Sequence, residues 1–152
     1  KKPNYNNSFA MSLAANLSGK AIGISKTTAP HAVSYPFTSL YNISHGHAVS
    51  LTLEKFLKFN FMNLKNANCN FDLNKRYKSI FNIFGVKDIF ELEKFFINMK
   101  KNANLESDFG KLGINMELNI NKIVSGTNIQ RLKNNPIDLS KRDIRYILLK
   151  SN

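Results

Sequence analysis

The sequence contains little cysteine, few acidic residues and no long apolar run. Cys69 is its single cysteine, so no internal disulfide can form, and we expect a reducing, cytoplasmic compartment. No apolar run approaches the roughly 18–20 residues that a membrane-spanning helix needs, so we expect no membrane span. Hydrophobic residues make up 43% of the 152 residues and charged residues 21%. This composition is typical of one globular domain rather than a disordered segment.

Acidic residues are too few to balance the basic ones. Ten Asp and Glu face 22 Lys and Arg, which gives a net charge of +12, and Glu54 is the first acidic residue of the chain. Basic runs never exceed a pair such as Lys100-Lys101, and no basic and aromatic platform for single-stranded nucleic acid is visible. A solvated basic surface is therefore the favoured interpretation. A stand-alone basic helical module that binds an acidic partner or nucleic acid remains the alternative, and it predicts steeply salt-dependent binding.

The seven glycines are scattered, and no alternating pattern predicts strands. No G-x-G-x-x-G cluster exists, so a dinucleotide-binding motif is absent from this sequence. Apolar residues instead recur at spacings of three and four, which predicts an all-α helical bundle. The predicted helices cover 8–24, a short segment from about 29 that kinks or ends soon after Pro36, 45–60, 73–84, 88–101, 117–126 and 140–149.

All three histidines lie within residues 26–48, a stretch without acidic side chains. His31 and His45 stand near the starts of two successive predicted helices joined by a tight connector. Two helix N-termini can converge on one point, so these imidazoles could share a metal ion. On the residues alone the signal is weak, because a solvated or core histidine is the ordinary interpretation. His47 lies about 200° around a helix from His45, so we expect it to point elsewhere.

The segment Pro30-His31-Ala-Val-Ser-Tyr35-Pro36, followed by Ser44-His45-Gly46-His47-Ala48, resembles the C-terminal half of the iron-containing (group III) alcohol dehydrogenase family. In that family a histidine is followed by a proline five residues later and by His-Gly fourteen residues later. Residues 17–22 and 131–136 fit the same pattern, so the resemblance covers nearly the whole chain. It implies the helical C-terminal domain of a dehydroquinate synthase-like fold.

The resemblance implies that His31 and His45 are metal ligands. Family members complete the site with an aspartate and another histidine from an earlier helix, but residues 1–30 contain no Asp, Glu or His. We therefore expect residues 1–152 to form a single metal-binding domain that is incomplete at its N-terminus and lacks the family's nucleotide-binding domain. Two imidazoles leave an ion mostly water-coordinated, so we expect the isolated chain to be inactive and to hold little or no metal.

For the full-length enzyme, the resemblance implies hydride transfer between NAD(P)H and a small alcohol or aldehyde. Fe²⁺ or Zn²⁺ would act as a Lewis acid, and imidazole ligands suit either ion. Many members have a second histidine where this chain has Tyr35, so Tyr35 is a pocket candidate without an assigned catalytic role. No catalytic or cofactor-binding residue is assigned, and the resemblance leaves open whether the enzyme is a homodimer.

Residues 26–36 also resemble the subgroup that reduces phosphonoacetaldehyde. This implies that Lys26, Thr27 and Thr28 contact the substrate, and a stretch without carboxylates from residue 1 to 53 would tolerate an anion. The lysines of this stretch could equally be ordinary surface residues. A degenerate homologue kept for assembly is a further alternative, but the intact pair of His31 and His45 argues against it.

Overall fold

A computed structural model describes residues 4–150, and the regular secondary structure within that range is helical, apart from an isolated bridge between Ala67 and Ile137. The all-α prediction is confirmed. No helix among these residues has the length and apolar character needed to cross a bilayer. The helices are α1 (Tyr5–Ser25), α2 (Ala29–Tyr41), α3 (His45–Ser50), α4 (Leu53–Met62), α5 (Leu73–Phe84), α6 (Ile89–Asn102), α7 (Met116–Ser125), α8 (Ile129–Leu132) and α9 (Lys141–Leu149), with a 3₁₀ turn at Leu64–Asn66.

Several helix ends fall at or next to the predicted bounds and are set by neighbouring residues. Asp88 begins α6, and its carboxylate accepts hydrogen bonds from the backbone N–H groups of Phe90 and Glu91. Ser140 and Asp143 form a reciprocal capping box at the start of α9. Gly85 ends α5 in the left-handed region, at φ 65°, where glycine carries no steric penalty.

The structure differs from the sequence-based prediction at α1 and α2. Helix α1 begins after Asn4, whose side chain accepts a 2.9 Å hydrogen bond from the Asn7 N–H, rather than at Ser8. Helix α2 continues through Pro36 to Tyr41. A proline inside a helix leaves the carbonyl four residues earlier without its donor. Here that carbonyl belongs to Ala32, and the backbone N–H of Asn128 occupies it at 3.1 Å.

The predicted helix 45–60 is in fact two helices, α3 and α4, separated at Leu51 and Thr52. Both residues are buried, and so is Phe56 in the following turn. In one straight helix Leu51 and Phe56 would lie about 140° apart around the axis, too far for one narrow buried face. The break lets each helix bury its own face. The short helix α8, which begins after Asn128, is also absent from the sequence-based prediction.

Two apolar clusters form the core. The larger joins α2, α3, α4, α7 and α9. The smaller joins α5, α6 and Ile137, which lies before α9. Asn60 and Asn135 are buried at the boundary, where their amide groups exchange hydrogen bonds of 3.1 and 2.9 Å. The turn at 134–136 is therefore fixed to α4, which positions the chain that leads into it from α8.

Helix α1 is an exception, because none of its 21 residues is buried. At about 100° per residue its large apolar side chains fall on two sides of the helix, with Phe9, Leu13, Leu17 and Ile24 on one side and Met11 and Ile22 on the other. Ile24 is 86% exposed. A helix that is apolar on more than one side is typical of buried positions in a larger protein.

Candidate metal centre

The structure brings His31 and His45 together. His31 lies in the first turn of α2 and His45 is the first residue of α3. Their ring centroids are 5.4 Å apart, and their planes are inclined by 60°. Two imidazoles that share one ion at metal–nitrogen distances of about 2.0–2.1 Å have ring centres roughly 5 Å apart. The separation of the two rings therefore fits a shared ion.

A tight turn between α2 and α3 produces this approach. Asn42 ends α2 in the left-handed region, at φ 55°, and its N–H bonds to the carbonyls of Phe37 and Thr38. Asparagine tolerates this conformation better than most residues. Ile43 then enters the core, with 7% of its surface exposed, and anchors the connector. The next helix starts two residues later and presents His45 to His31.

Ser34 connects the two histidines. Its hydroxyl is buried and donates a 2.8 Å hydrogen bond to the carbonyl of His31. The same oxygen lies 3.4 Å from Nδ1 of His45. Because the hydroxyl proton is used on His31, its oxygen accepts from an Nδ1–H, which leaves Nε2 of His45 with a free lone pair. A partner of this kind commonly fixes the tautomer and orientation of a metal-binding histidine.

The surroundings of His31 lower its pKa, which favours the neutral imidazole. Burial is the largest cause that lowers its pKa, and the neighbouring His45 and Arg131 lower the pKa further. Each of these effects disfavours the imidazolium form. Neutral imidazole is the form that ligates a metal ion, so the lowered pKa of His31 favours metal binding over protonation.

The pair supplies only part of a ligand set. Metal sites of the zinc type use four ligands, or three protein ligands and water. Between residues 4 and 150, no group of three or more His, Cys, Asp or Glu side chains is arranged to hold a metal ion. The two imidazoles fit an ion in chemistry and spacing, and the remaining ligands are not among these residues.

Tyr35 and Arg131 lie beside the pair. The Tyr35 ring centroid is 6.0 Å from that of His45, and the Arg131 guanidinium carbon is 5.6 Å from the Tyr35 ring centroid. The guanidinium donates a 2.7 Å hydrogen bond to the hydroxyl of Thr27. Sequence reasoning included Arg131 in a family-like segment but assigned it no role, because its contacts lie about 100 residues away along the chain.

The three candidate substrate residues have different environments. Lys26 is exposed and adopts φ 64° at the end of α1, and Thr28 begins α2 without a side-chain capping bond. Thr27 is 7% exposed. Its carbonyl accepts a 3.1 Å bond from the Asn134 amide, in addition to the bond its hydroxyl accepts from Arg131. Thr27 therefore links the start of α2 to the segment around α8.

His47 has a separate role. Its Nε2 lies 2.6 Å from the carbonyl oxygen of Glu106, in the long loop before α7. This bond fixes the loop against α3. It also occupies the His47 ring with a partner other than His31 or His45. The two histidines of interest are therefore His31 and His45.

The fold and the paired imidazoles define a helical domain with a candidate metal centre at the starts of two consecutive helices. The pattern of the family described as "Fe-containing alcohol dehydrogenase family, C-terminal" matches residues 1–152. The chain belongs to the Fe-containing alcohol dehydrogenase family and represents its C-terminal domain.

Known proteins resemble this chain in part of its sequence or in its fold. Over 52 residues the chain is 42% identical to the phosphonoacetaldehyde reductase of Streptomyces viridochromogenes, a match that spans 34% of this chain and 13% of that protein. The sulfoacetaldehyde reductase of Bifidobacterium kashiwanohense, solved in complex with NAD⁺, superimposes with a TM-score of 0.66 at 24% identity, over 82% of this chain and 31% of that one. A mutant of an archaeal halo-thermophilic alcohol dehydrogenase from a Red Sea brine pool gives 0.61 at 20% identity, over 84% and 33%. At these identities the structural matches show the fold, and the chain spans about a third of the solved proteins.

Proposed function

We propose that this chain is the C-terminal helical part of a metal-dependent, NAD(P)-linked alcohol dehydrogenase or aldehyde reductase. The observation that carries the proposal is the 5.4 Å separation of the His31 and His45 rings in a chain of this family. The structural neighbour solved with NAD⁺ supports the choice of cofactor. The alternative of a stand-alone basic module has no comparable observation in its favour.

In this proposal His31 and His45 hold a divalent ion, Fe²⁺ or Zn²⁺, together with ligands from outside residues 4–150. When bound, such an ion supplies Lewis-acid polarisation of an alcohol or aldehyde oxygen. Ser34 keeps His45 in the tautomer that presents Nε2, and burial lowers the pKa of His31, which favours its neutral form. Tyr35 forms part of the wall of the substrate pocket beside His45.

The rest of the enzyme would include a nucleotide-binding domain and would cover α1. Two observations support this: no residue of α1 is buried, and the chain spans only 31% and 33% of the two solved neighbours. Covering the apolar sides of α1 removes Phe9, Leu13 and Leu17 from water, which stabilises the complete protein. The chain alone would then lack activity, because its sequence has no G-x-G-x-x-G motif and residues 4–150 supply only part of a ligand set.

The proposed substrate is a small anionic aldehyde, with phosphonoacetaldehyde as the first candidate. The 42% identical relative is a phosphonoacetaldehyde reductase, and the structural neighbour acts on sulfoacetaldehyde. Residues 1–53 carry no carboxylate that would repel an anion, and Lys26 and Thr28 lie at the start of α2. The charge and the relatives favour the same class of substrate.

The test uses the full-length enzyme. His31→Ala and His45→Ala each remove one proposed ligand, and His47→Gln is the matched control because His47 bonds to Glu106 instead. We expect both alanine variants to lose most of the bound metal and at least about 100-fold in aldehyde reduction, while His47→Gln retains its metal. Unchanged metal stoichiometry, measured by mass spectrometry, in both alanine variants would contradict the proposed ligands.

A further inference from the structure

We propose that Arg131 recognises the anionic group of the substrate, a tetrahedral phosphonate or sulfonate oxyanion held beside the histidine pair. This inference rests on the proposed function, which it deepens by naming the residue that selects the charged substrate. Four features of Arg131 support this assignment: the position of its guanidinium, its lack of an acidic partner, the contacts that hold it and its positive surroundings.

The guanidinium lies next to the candidate metal centre. Its carbon is 5.6 Å from the centroid of the Tyr35 ring, and that ring is 6.0 Å from the His45 ring. In a two-carbon aldehyde such as phosphonoacetaldehyde, a single methylene separates the carbonyl carbon from the phosphorus or sulfur of the oxyanion. One small substrate could therefore present its carbonyl to the histidines and its oxyanion to Arg131.

The guanidinium of Arg131 has no acidic partner in the described part of the chain. The ion pairs found in residues 4–150 involve Lys58, Lys100 and Lys111, and none involves Arg131. The guanidinium is half-buried and makes one side-chain hydrogen bond, to Thr27. Its other N–H groups remain available. A partly buried cation without a counter-ion is costly, and a planar guanidinium pairs with a tetrahedral oxyanion through two parallel hydrogen bonds.

The support of Arg131 is rigid. Its backbone N–H bonds to the side chain of Asn128 at 3.0 Å, and the N–H of Asn128 bonds to Ala32 in α2 at 3.1 Å. The Asn134 amide holds the carbonyl of Thr27, whose hydroxyl accepts from the guanidinium. Three contacts thus fix this segment against the start of α2. Ligand binding to a preorganised side chain loses less conformational entropy than binding to a mobile one.

The surroundings also favour an anion. The N-terminus of α2 has no side-chain cap, and Arg131 binds Thr27 just before it, so the positive end of this 13-residue helix lies near the guanidinium. Lys26 immediately precedes Thr27, and no acidic residue occurs before Glu54. The helix terminus and the guanidinium therefore both contribute positive potential where the oxyanion would bind.

The kinetic test compares charged and neutral aldehydes in the full-length enzyme. Arg131→Gln removes the charge, Arg131→Lys keeps the charge without the planar fork, and Lys133→Gln is the control for an exposed cation two residues away. We expect the ratio of kcat/KM for phosphonoacetaldehyde to that for propionaldehyde to fall about 100-fold in Arg131→Gln, mainly through KM. Arg131→Lys should lose part of the ratio, and Lys133→Gln should keep it. An unchanged ratio in Arg131→Gln, with or without a general loss of rate, would overturn the proposal.

A binding test separates this inference from the proposed function. Calorimetry of the full-length enzyme with methylphosphonate and with methanesulfonate should show binding of at least one anion, and Arg131→Gln should abolish it. The preferred anion then identifies the phosphonate or the sulfonate as the source of the charge. If the wild-type enzyme reduces aldehydes but anion binding does not depend on Arg131, the inference is wrong while the function stands. If the wild type reduces no aldehyde, the proposed function itself is wrong.

Discussion

The carbonyl oxygen of Ala32 accepts its hydrogen bond from the backbone N–H of Asn128, 96 residues further along the chain, at a distance of 3.1 Å. Within α2 the natural donor would be residue 36, but that residue is proline and has no N–H. The bond therefore satisfies a buried polar group and also attaches the α8 segment to the helix that carries His31. The position of Arg131 beside the histidine pair depends on this attachment.

Asn128→Ala should weaken the start of α8, although the backbone bond to Ala32 stays in place. The Asn128 side chain caps α8 by accepting the N–H of Arg131 at 3.0 Å, and loss of such a cap costs about 1 kcal/mol. Because Arg131 then has less support, we expect a lower denaturation midpoint and a weaker preference for anionic over neutral aldehydes. Denaturant unfolding and substrate profiling of the full-length enzyme measure both effects. The conservative variant Asn128→Asp, which keeps an acceptor, should restore most of the stability.

Gly126→Ala should destabilise the protein. A Cβ atom at Gly126 would lie 3.1 Å from the Cβ of Pro36, closer than an unstrained contact, and 3.4 Å from the carbonyl of Lys122. Overpacking of this kind costs about 1–3 kcal/mol. Gly46→Ala is the control, because none of the chain's described atoms lies within 4 Å of its added Cβ. Equal thermal midpoints for the two variants would contradict this prediction. They would show that Pro36 and α7 can move apart without loss of stability.

The buried pair of Glu54 and Lys100 should be sensitive to loss of either partner. The two groups are 2.7 Å apart, and each side chain is 4% exposed. Glu54→Gln or Lys100→Met leaves one buried charge unpaired, which costs about 3–5 kcal/mol. The double variant Glu54→Leu with Lys100→Met should recover most of this loss. The half-exposed pair of Lys58 and Glu93 is the comparison, and Lys58→Met should cost less than about 1 kcal/mol.

Lys55 should make stability depend on pH. Burial lowers its pKa to about 8, and the charge of Lys100 adds to this effect, while Glu54 and Glu93 oppose it. Between about pH 8 and the ordinary lysine value near 10.5, the unfolded chain binds a proton that the folded chain lacks. The free energy of unfolding should therefore rise with pH across this window.

The measurement for Lys55 compares denaturant unfolding from pH 7.5 to 9.5 in the wild type and in Lys55→Met. The upper limit avoids Tyr77, whose pKa is raised by burial and which would change stability in the opposite direction above about pH 10. The variant should have a flatter profile than the wild type. Parallel profiles would show that Lys55 titrates as an ordinary surface lysine.

The amino-acid sequence by itself determined the class of fold and much of the helix layout. Apolar spacing predicted helices, and the caps at Asp88 and Ser140 and the stop at Gly85 act on residues only a few positions away. Such local interactions can be predicted because both partners lie within one helical turn. The candidate ligands His31 and His45 were also identified from sequence, through their spacing and the family resemblance.

Only the tertiary structure decided how α2 tolerates Pro36, where the segment 45–60 breaks and what surrounds the histidines. Pro36 is accommodated through a donor at Asn128, and Arg131 reaches Thr27 across 104 positions of sequence. Such contacts form only when distant helices pack around a shared core, and no local pattern encodes the partner. The sequence pattern could therefore identify His31 and His45. The position of the Arg131 guanidinium beside them depends on the packing of α8 against α2.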